Sequence, residues 1–119
     1  MKRTATLLSL ALSAFLITTP TQATDGFANG LDLKGWCDNM DLNDIHWGLC
    51  VGSITAAHDV IMSYQQADAV NTVVCTTLDI TRGDAVFAVI DYLNENPGEL
   101  DYSLGDVVLT ALAEKFPCE

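Results

Sequence analysis

Apolar residues recur at spacings of three and four through most of the chain, which is the pattern of helices that bury one face. The longest stripe follows Asp44, a good N-cap residue, and carries Trp47, Val51, Ile54, His58 and Ile61. A second begins after Thr81, also an N-cap type, and places Val86, Val89, Ile90 and Leu93 together; residues 94–98, which include Pro97, stop it. A third starts near Asp101, carries Leu104, Val107, Val108, Ala111 and Leu112, and closes before Pro117. Residues 26–37 predict a short first helix with Phe27, Leu31 and Trp36, although Gly30 and Gly35 lower its propensity. Between these lie a turn-rich link, residues 38–44, and a stretch over 65–77 that mixes Asp68 and Asn71 with β-branched Val70, Val73 and Val74. The second stretch predicts an irregular connection running back across the domain. Four helices with short connections imply an all-α fold, a small antiparallel bundle.

The N-terminus has a different character. Met1-Lys2-Arg3 precedes an uncharged apolar run from Ala5 to Ile17, and Thr21-Gln22-Ala23 offers a small-x-small cleavage site. The run is shorter than the roughly 20 residues of a spanning helix. Residues 1–23 are therefore expected to be a secretory signal, with an uncleaved anchor as the competing reading. Residues 24–119 then form a single domain, since no repeat, low-complexity tract or linker divides them.

Export changes the reading of the four cysteines, Cys37, Cys50, Cys75 and Cys118. In an oxidising compartment an even number of thiols predicts disulfides, and a domain this small benefits from staples. No C-x-x-C occurs, and His46 and His58 lack finger spacing, which argues against a metal site. In an up-and-down bundle, the end of the first helix and the start of the second share one end of the molecule. Cys75 and Cys118 share the other. The preferred pairs are thus Cys37 with Cys50 and Cys75 with Cys118; if residues 65–77 run back along the second helix, Cys50 with Cys75 becomes feasible.

Charge narrows the partners. Once the signal is removed, Lys34, Arg82 and Lys115 stand against all sixteen Asp and Glu. Such a field repels nucleic acid and anionic lipid and steers basic partners toward the protein. Neither nucleic acid nor, after signal cleavage, a membrane is expected as a partner. Catalysis is not expected either. Disulfide-bonded cysteines are not nucleophiles, and Ser53 and Ser63 lack a glycine-rich elbow. His58 shares the stripe of Ile54 and Ile61, the position of a core histidine. No phosphate loop, calcium loop or cofactor motif appears, so no cofactor is expected.

Binding residues are therefore sought in loops. Residues 94–102 combine a Pro-Gly turn, the acids Glu95, Glu99 and Asp101, and an apolar-aromatic tip of Leu100 and Tyr102. The turn at residues 38–42, with Asp38, Met40, Asp41 and Leu42, has similar character.

Several short stretches, spread over residues 35–118, together resemble the Rap/Tai family. They are Cys37, Cys50-Val51-Gly52-Ser53-Ile54, Cys75, Val89-Ile90-Asp91-Tyr92-Leu93 followed by Asn96-Pro97, and the closing Ala111-Leu112-Ala113-Glu114-Lys115-Phe116-Pro117-Cys118. Two positions depart from the family pattern: Ser53 stands where an aromatic is usual and Ala56 where glycine is common. The resemblance implies an all-helical, commonly homodimeric periplasmic immunity protein of type VI secretion. It would bind a cell-wall amidase effector and fill its substrate cleft, and the acidic field here would complement a basic effector. The helical architecture, size and export are also similar to periplasmic acid-stress chaperones, which expose apolar surface at low pH. Those are lysine-rich and carry one disulfide, unlike this chain.

Overall fold

A computed structural model describes residues 27–77 and 79–119 of the protein; the expected signal, residues 1–23, lies outside the described residues. Four α-helices follow one another: α1 (Gly30–Cys37), α2 (Ile45–Gln66), α3 (Arg82–Glu95) and α4 (Leu104–Lys115). A single turn of 3-10 helix, Pro97–Glu99, lies between the last two. The described residues contain no strand, only two isolated bridges, Asn29 with Ser103 and Val74 with Pro117.

Each helix starts where a side chain satisfies its free N–H groups. Thr81 and Asp84 cap α3 reciprocally: the Asp84 carboxylate accepts from the Thr81 N–H at 2.7 Å, and the Asp84 N–H donates to the Thr81 hydroxyl at 3.2 Å. The Thr81 hydroxyl and N–H, both bonded to the Asp84 carboxyl, hold it below the usual carboxylate range. Asp44 and Ser103 cap α2 and α4. The first helix begins at Gly30 rather than Gly26, because Asn29 and Asp32 form a capping box there. The shift turns a different face inward: Leu33 is buried, while Phe27 and Leu31 are exposed.

α3 is the central helix and buries Ala85, Val86, Ala88, Val89, Ile90, Tyr92 and Leu93. Against it pack Leu33, Ile54, Val107, Val108, Ala111 and Leu112 from the other three helices. Gly30 lets α1 lie directly on the turn before α4. A Cβ at Gly30 would meet the Leu100 carbonyl oxygen at 2.8 Å and its Cα at 2.9 Å. The Gly30 N–H donates to the Tyr102 carbonyl at 3.1 Å and that of Leu31 to the Leu100 carbonyl at 3.0 Å.

Both preferred disulfides are present, Cys37–Cys50 and Cys75–Cys118. The first ties the end of α1 to the start of α2. The second is set up by the connection after α2, which a buried amide organises. Gln65 accepts from the N–H groups of Val73 and Val74, both at 3.0 Å, and donates to the Val74 carbonyl at 2.8 Å. Held in this way, Val74 pairs with Pro117, and the Cys75 N–H donates to the Phe116 carbonyl at 2.9 Å. The connection therefore turns toward the C-terminus and not toward Cys50. Asp68, in the left-handed region at φ 52°, ends α2: its N–H bonds the Gln65 carbonyl and that of Ala69 the Tyr64 carbonyl, the two bonds of a Schellman ending.

Candidate partner-binding surface

The turn joining α3 to α4 is the first candidate. Asn96 ends α3 by donating its N–H and its side-chain amide to the Tyr92 carbonyl, and Pro97 starts the 3-10 turn. Glu95, Glu99, Asp101 and Tyr102 are exposed, Tyr102 at 58%. Leu100 is not part of an exposed tip. It is only 4% exposed, because the docking of α1 at Gly30 draws it into the core, where it anchors the turn from below. The surface thus carries three acids and one tyrosine on a turn pinned by a buried leucine.

Beside this turn, Tyr92, Glu99, Tyr102, Asp106, Val107 and Thr110 line a groove of about 350 Å³. Tyr92 is nearly buried at its base, at 9% exposure. Burial first, and then the carboxylates of Glu114 and Glu99 and the Tyr102 phenol, push the Tyr92 phenol up from its ordinary pKa.

The turn at residues 38–42 is rigid too. The Asp41 N–H donates to the Asn39 side chain at 3.1 Å, the Asn43 N–H to the Asp41 carboxylate at 3.0 Å, and the Asn39 amide to Asp44 at 2.6 Å. Lys34 clasps Asp38 at 2.7 Å and Asn94 at 3.1 Å, tying this end of α1 to α3. Met40 and Leu42 stand out from the turn, Leu42 at 80% exposure.

Leu42 leads into a surface that the inward stripe of α2 conceals in the sequence. On the outer face of α2, Ile45, Leu49, Gly52, Ala56 and Val60 are all exposed, at helical spacing, with Tyr64 at the edge. The spacing was open to reading, since a helix with apolar positions on both faces has more than a core to cover. α2 contains one carboxylate, Asp59, and no lysine or arginine.

The histidines make no catalytic pair. His46 is exposed with Nδ1 2.9 Å from Asp44, and His58 has Nδ1 3.3 Å from Asp59. His58 is not sealed in the core as its stripe suggested. It is half-buried and lines an open cleft of about 470 Å³ between α2 and the start of α3, with Thr55 and Arg82. All four cysteines are bonded, and among the described residues no group of His, Cys, Asp and Glu is placed to hold a metal ion. No helix of the described residues is long and apolar enough to cross a membrane.

The family model of the Rap1a immunity proteins matches residues 29–118, from the cap of α1 to the last cysteine. The chain belongs to this family. Rap1a immunity proteins bind a toxin effector, and such proteins generally act without an enzymatic activity of their own. No curated protein and no solved structure matches the chain significantly. This Rap1a immunity domain exposes two surfaces of different character: the acidic turn with its groove, and the outer stripe of α2, a helix whose one carboxylate is Asp59.

Proposed function

We propose that the chain is a periplasmic immunity protein that neutralises a cell-wall amidase or peptidase effector of type VI secretion by occluding its active-site cleft. The observation that carries this reading is the family match over nearly the whole folded domain. Four others support it. The first 23 residues have the composition of a secretory signal, and the two disulfides suit an oxidising compartment. The acidic surface suits a basic enzyme, for which charge complementarity speeds encounter. The turn carrying Glu95, Glu99, Asp101 and Tyr102 stands out from the bundle on a rigid base, with Leu100 as its buried anchor and not a contact residue.

The same reading includes a homodimer. Two copies of so acidic a chain repel through most of their surfaces, and the outer stripe of α2 is a face on which they meet without opposing carboxylates in number. Light scattering on the purified chain tests this: an Ile45→Glu, Leu49→Glu double variant is expected to be monomeric and to keep its thermal stability. A wild-type monomer at all concentrations would refute it.

The functional test is capture with the oxidised chain from cell-envelope and secreted extracts, followed by assay of the captured protein on isolated peptidoglycan. A wall amidase or peptidase held at near-equal stoichiometry, and inhibited by the added chain, is the expected result. Capture of a hydrolase that remains fully active in the complex would refute occlusion of the cleft.

A further inference from the structure

We infer that the Cys75–Cys118 bond is a reversible thiol-exchange site, opened by attack of a dithiol at Cys75, while Cys37–Cys50 stays inert as long as the protein is folded. The inference goes beyond the immunity reading and does not depend on which protein the chain binds.

The two bonds differ first in access. Cys37 and Cys50 are 2% and 0% exposed and belong to the core cluster that also holds Leu33 and Ile54. A reductant reaches them only after α1 parts from α2, an opening that breaks the packing of both helices. Cys75, in contrast, is exposed, and Cys118 is half-buried. Exchange requires a thiolate to come up behind one sulfur of the bond, so access to that sulfur governs the rate. Cys75 lies in the connection between α2 and α3, outside any helix, and a thiol reaches it with the bundle closed.

Charge favours attack at the same sulfur. Glu119 adjoins Cys118, whereas the uncharged Val74 and Thr76 flank Cys75. An incoming thiolate is therefore repelled more strongly at Cys118. The attacking sulfur bonds Cys75 Sγ, the Cys75–Cys118 bond breaks, and Cys118 leaves as a thiolate that takes up a proton. The second thiol of the reductant then loses its proton and attacks the first, which releases Cys75 as a thiol. The dithiol ends as a disulfide, and the protein bond is reduced by the same two electrons.

The surroundings make the opening local and reversible. Gln65 holds Val73 and Val74 through three hydrogen bonds of 2.8 to 3.0 Å, Val74 pairs with Pro117, and the Cys75 N–H donates to the Phe116 carbonyl at 2.9 Å. None of these contacts passes through sulfur. With the bond open they keep the two thiols beside each other, so the same pair re-forms when the reductant is removed. The effect falls on the segment that carries the acidic turn, because α3, the turn and α4 all lie between Cys75 and Cys118. The redox state of one exposed bond thus sets the stability of that surface without rebuilding it.

The test follows the four cysteines one by one. The purified oxidised chain is exposed to limiting dithiothreitol at neutral pH, trapped over time with N-ethylmaleimide and mapped by peptide mass spectrometry. Cys75 and Cys118 are expected to be labelled together, and more than about tenfold faster than Cys37 and Cys50. In urea strong enough to unfold the chain the difference is expected to vanish. The species open at this bond alone is expected to keep its far-UV circular dichroism at room temperature, to melt below the oxidised chain, and to regain the same bond once the dithiothreitol is removed. With limiting cysteamine in place of the dithiol, the adduct is expected on Cys75 and the maleimide on Cys118. Equal labelling of all four cysteines, earlier opening of Cys37–Cys50, or loss of the helical signal when the outer bond alone opens would overturn the proposal. Cysteamine found mainly on Cys118 would overturn Cys75 as the point of attack.

Discussion

Replacing Gln65 by Met is expected to be among the most damaging single changes in the domain, although it removes no charge and adds only a little volume. The Gln65 side chain is buried and satisfies three backbone groups of the next segment: the N–H of Val73, the N–H of Val74 and the carbonyl of Val74. Both Val74 bonds are buried, so with methionine in place its N–H and carbonyl lose their partners where water does not readily replace them. Each buried group left unsatisfied costs about 1–3 kcal/mol. With the half-buried Val73 bond adding less, the loss is on the order of 2–6 kcal/mol, a large part of the stability of a domain this size. Urea unfolding of the oxidised protein, followed by far-UV circular dichroism, measures it as a lowered midpoint with an unchanged slope. Gln65→Glu supplies the control. It keeps an oxygen acceptor for the N–H groups of Val73 and Val74 and removes only the donor to the Val74 carbonyl, so its loss separates that one bond from the other two. A Gln65→Met loss below about 0.5 kcal/mol would refute the account, because it would mean that the amide does not organise the connection.

Gly30→Ala is expected to cost about 1–3 kcal/mol, since the new Cβ meets backbone atoms of Leu100 that cannot rotate away; calorimetry would show a clear fall in Tm, and an unchanged Tm would refute the close approach. Asp68→Gly is expected to stabilise by up to about 1 kcal/mol by relieving a left-handed aspartate at the end of α2, read as a rise in the urea midpoint. Asp84 has a folded pKa below its unfolded one, so its contribution is present above the unfolded value and lost as pH falls through the folded value. Asp84→Asn is therefore expected to flatten the stability profile on the acid side, and an unaltered profile would contradict the capping box as its source.

The helices that carry most of the core were legible from spacing because their buried positions are aliphatic and their caps are side chains close in sequence, as with Thr81 and Asp84. The pairing of the cysteines followed from which ends of the helices meet. Its open alternative, Cys50 with Cys75, depended on the direction of residues 67–74, which is set by Gln65, a polar residue that no hydrophobic pattern selects. The start of α1 was misread because Phe27 and Leu31 look like core residues, whereas the Asn29 and Asp32 capping box decides the start and so the buried face. Leu100 was misread for a related reason. A leucine between acids at a turn looks exposed, and only contact with Gly30, far earlier in the chain, buries it. The outer stripe of α2 was visible in the spacing but overlaid by the inner one. The groove of Tyr92 and Glu99 brings together three segments and has no signature along the chain.

The Cys75–Cys118 bond spans 43 residues and makes of α3, the turn and α4 a closed covalent ring. In the chain-entropy picture a loop of that size contributes about 4 kcal/mol. Its topology has a second effect. The turn at residues 97–102, exposed except at Leu100, is one place in this ring that a protease can reach. A cut there opens the ring without releasing a fragment, because the new ends belong to helices that remain joined at Cys75 and Cys118. The nicked protein keeps α3 and α4 tethered at one end and can close them again around the same core.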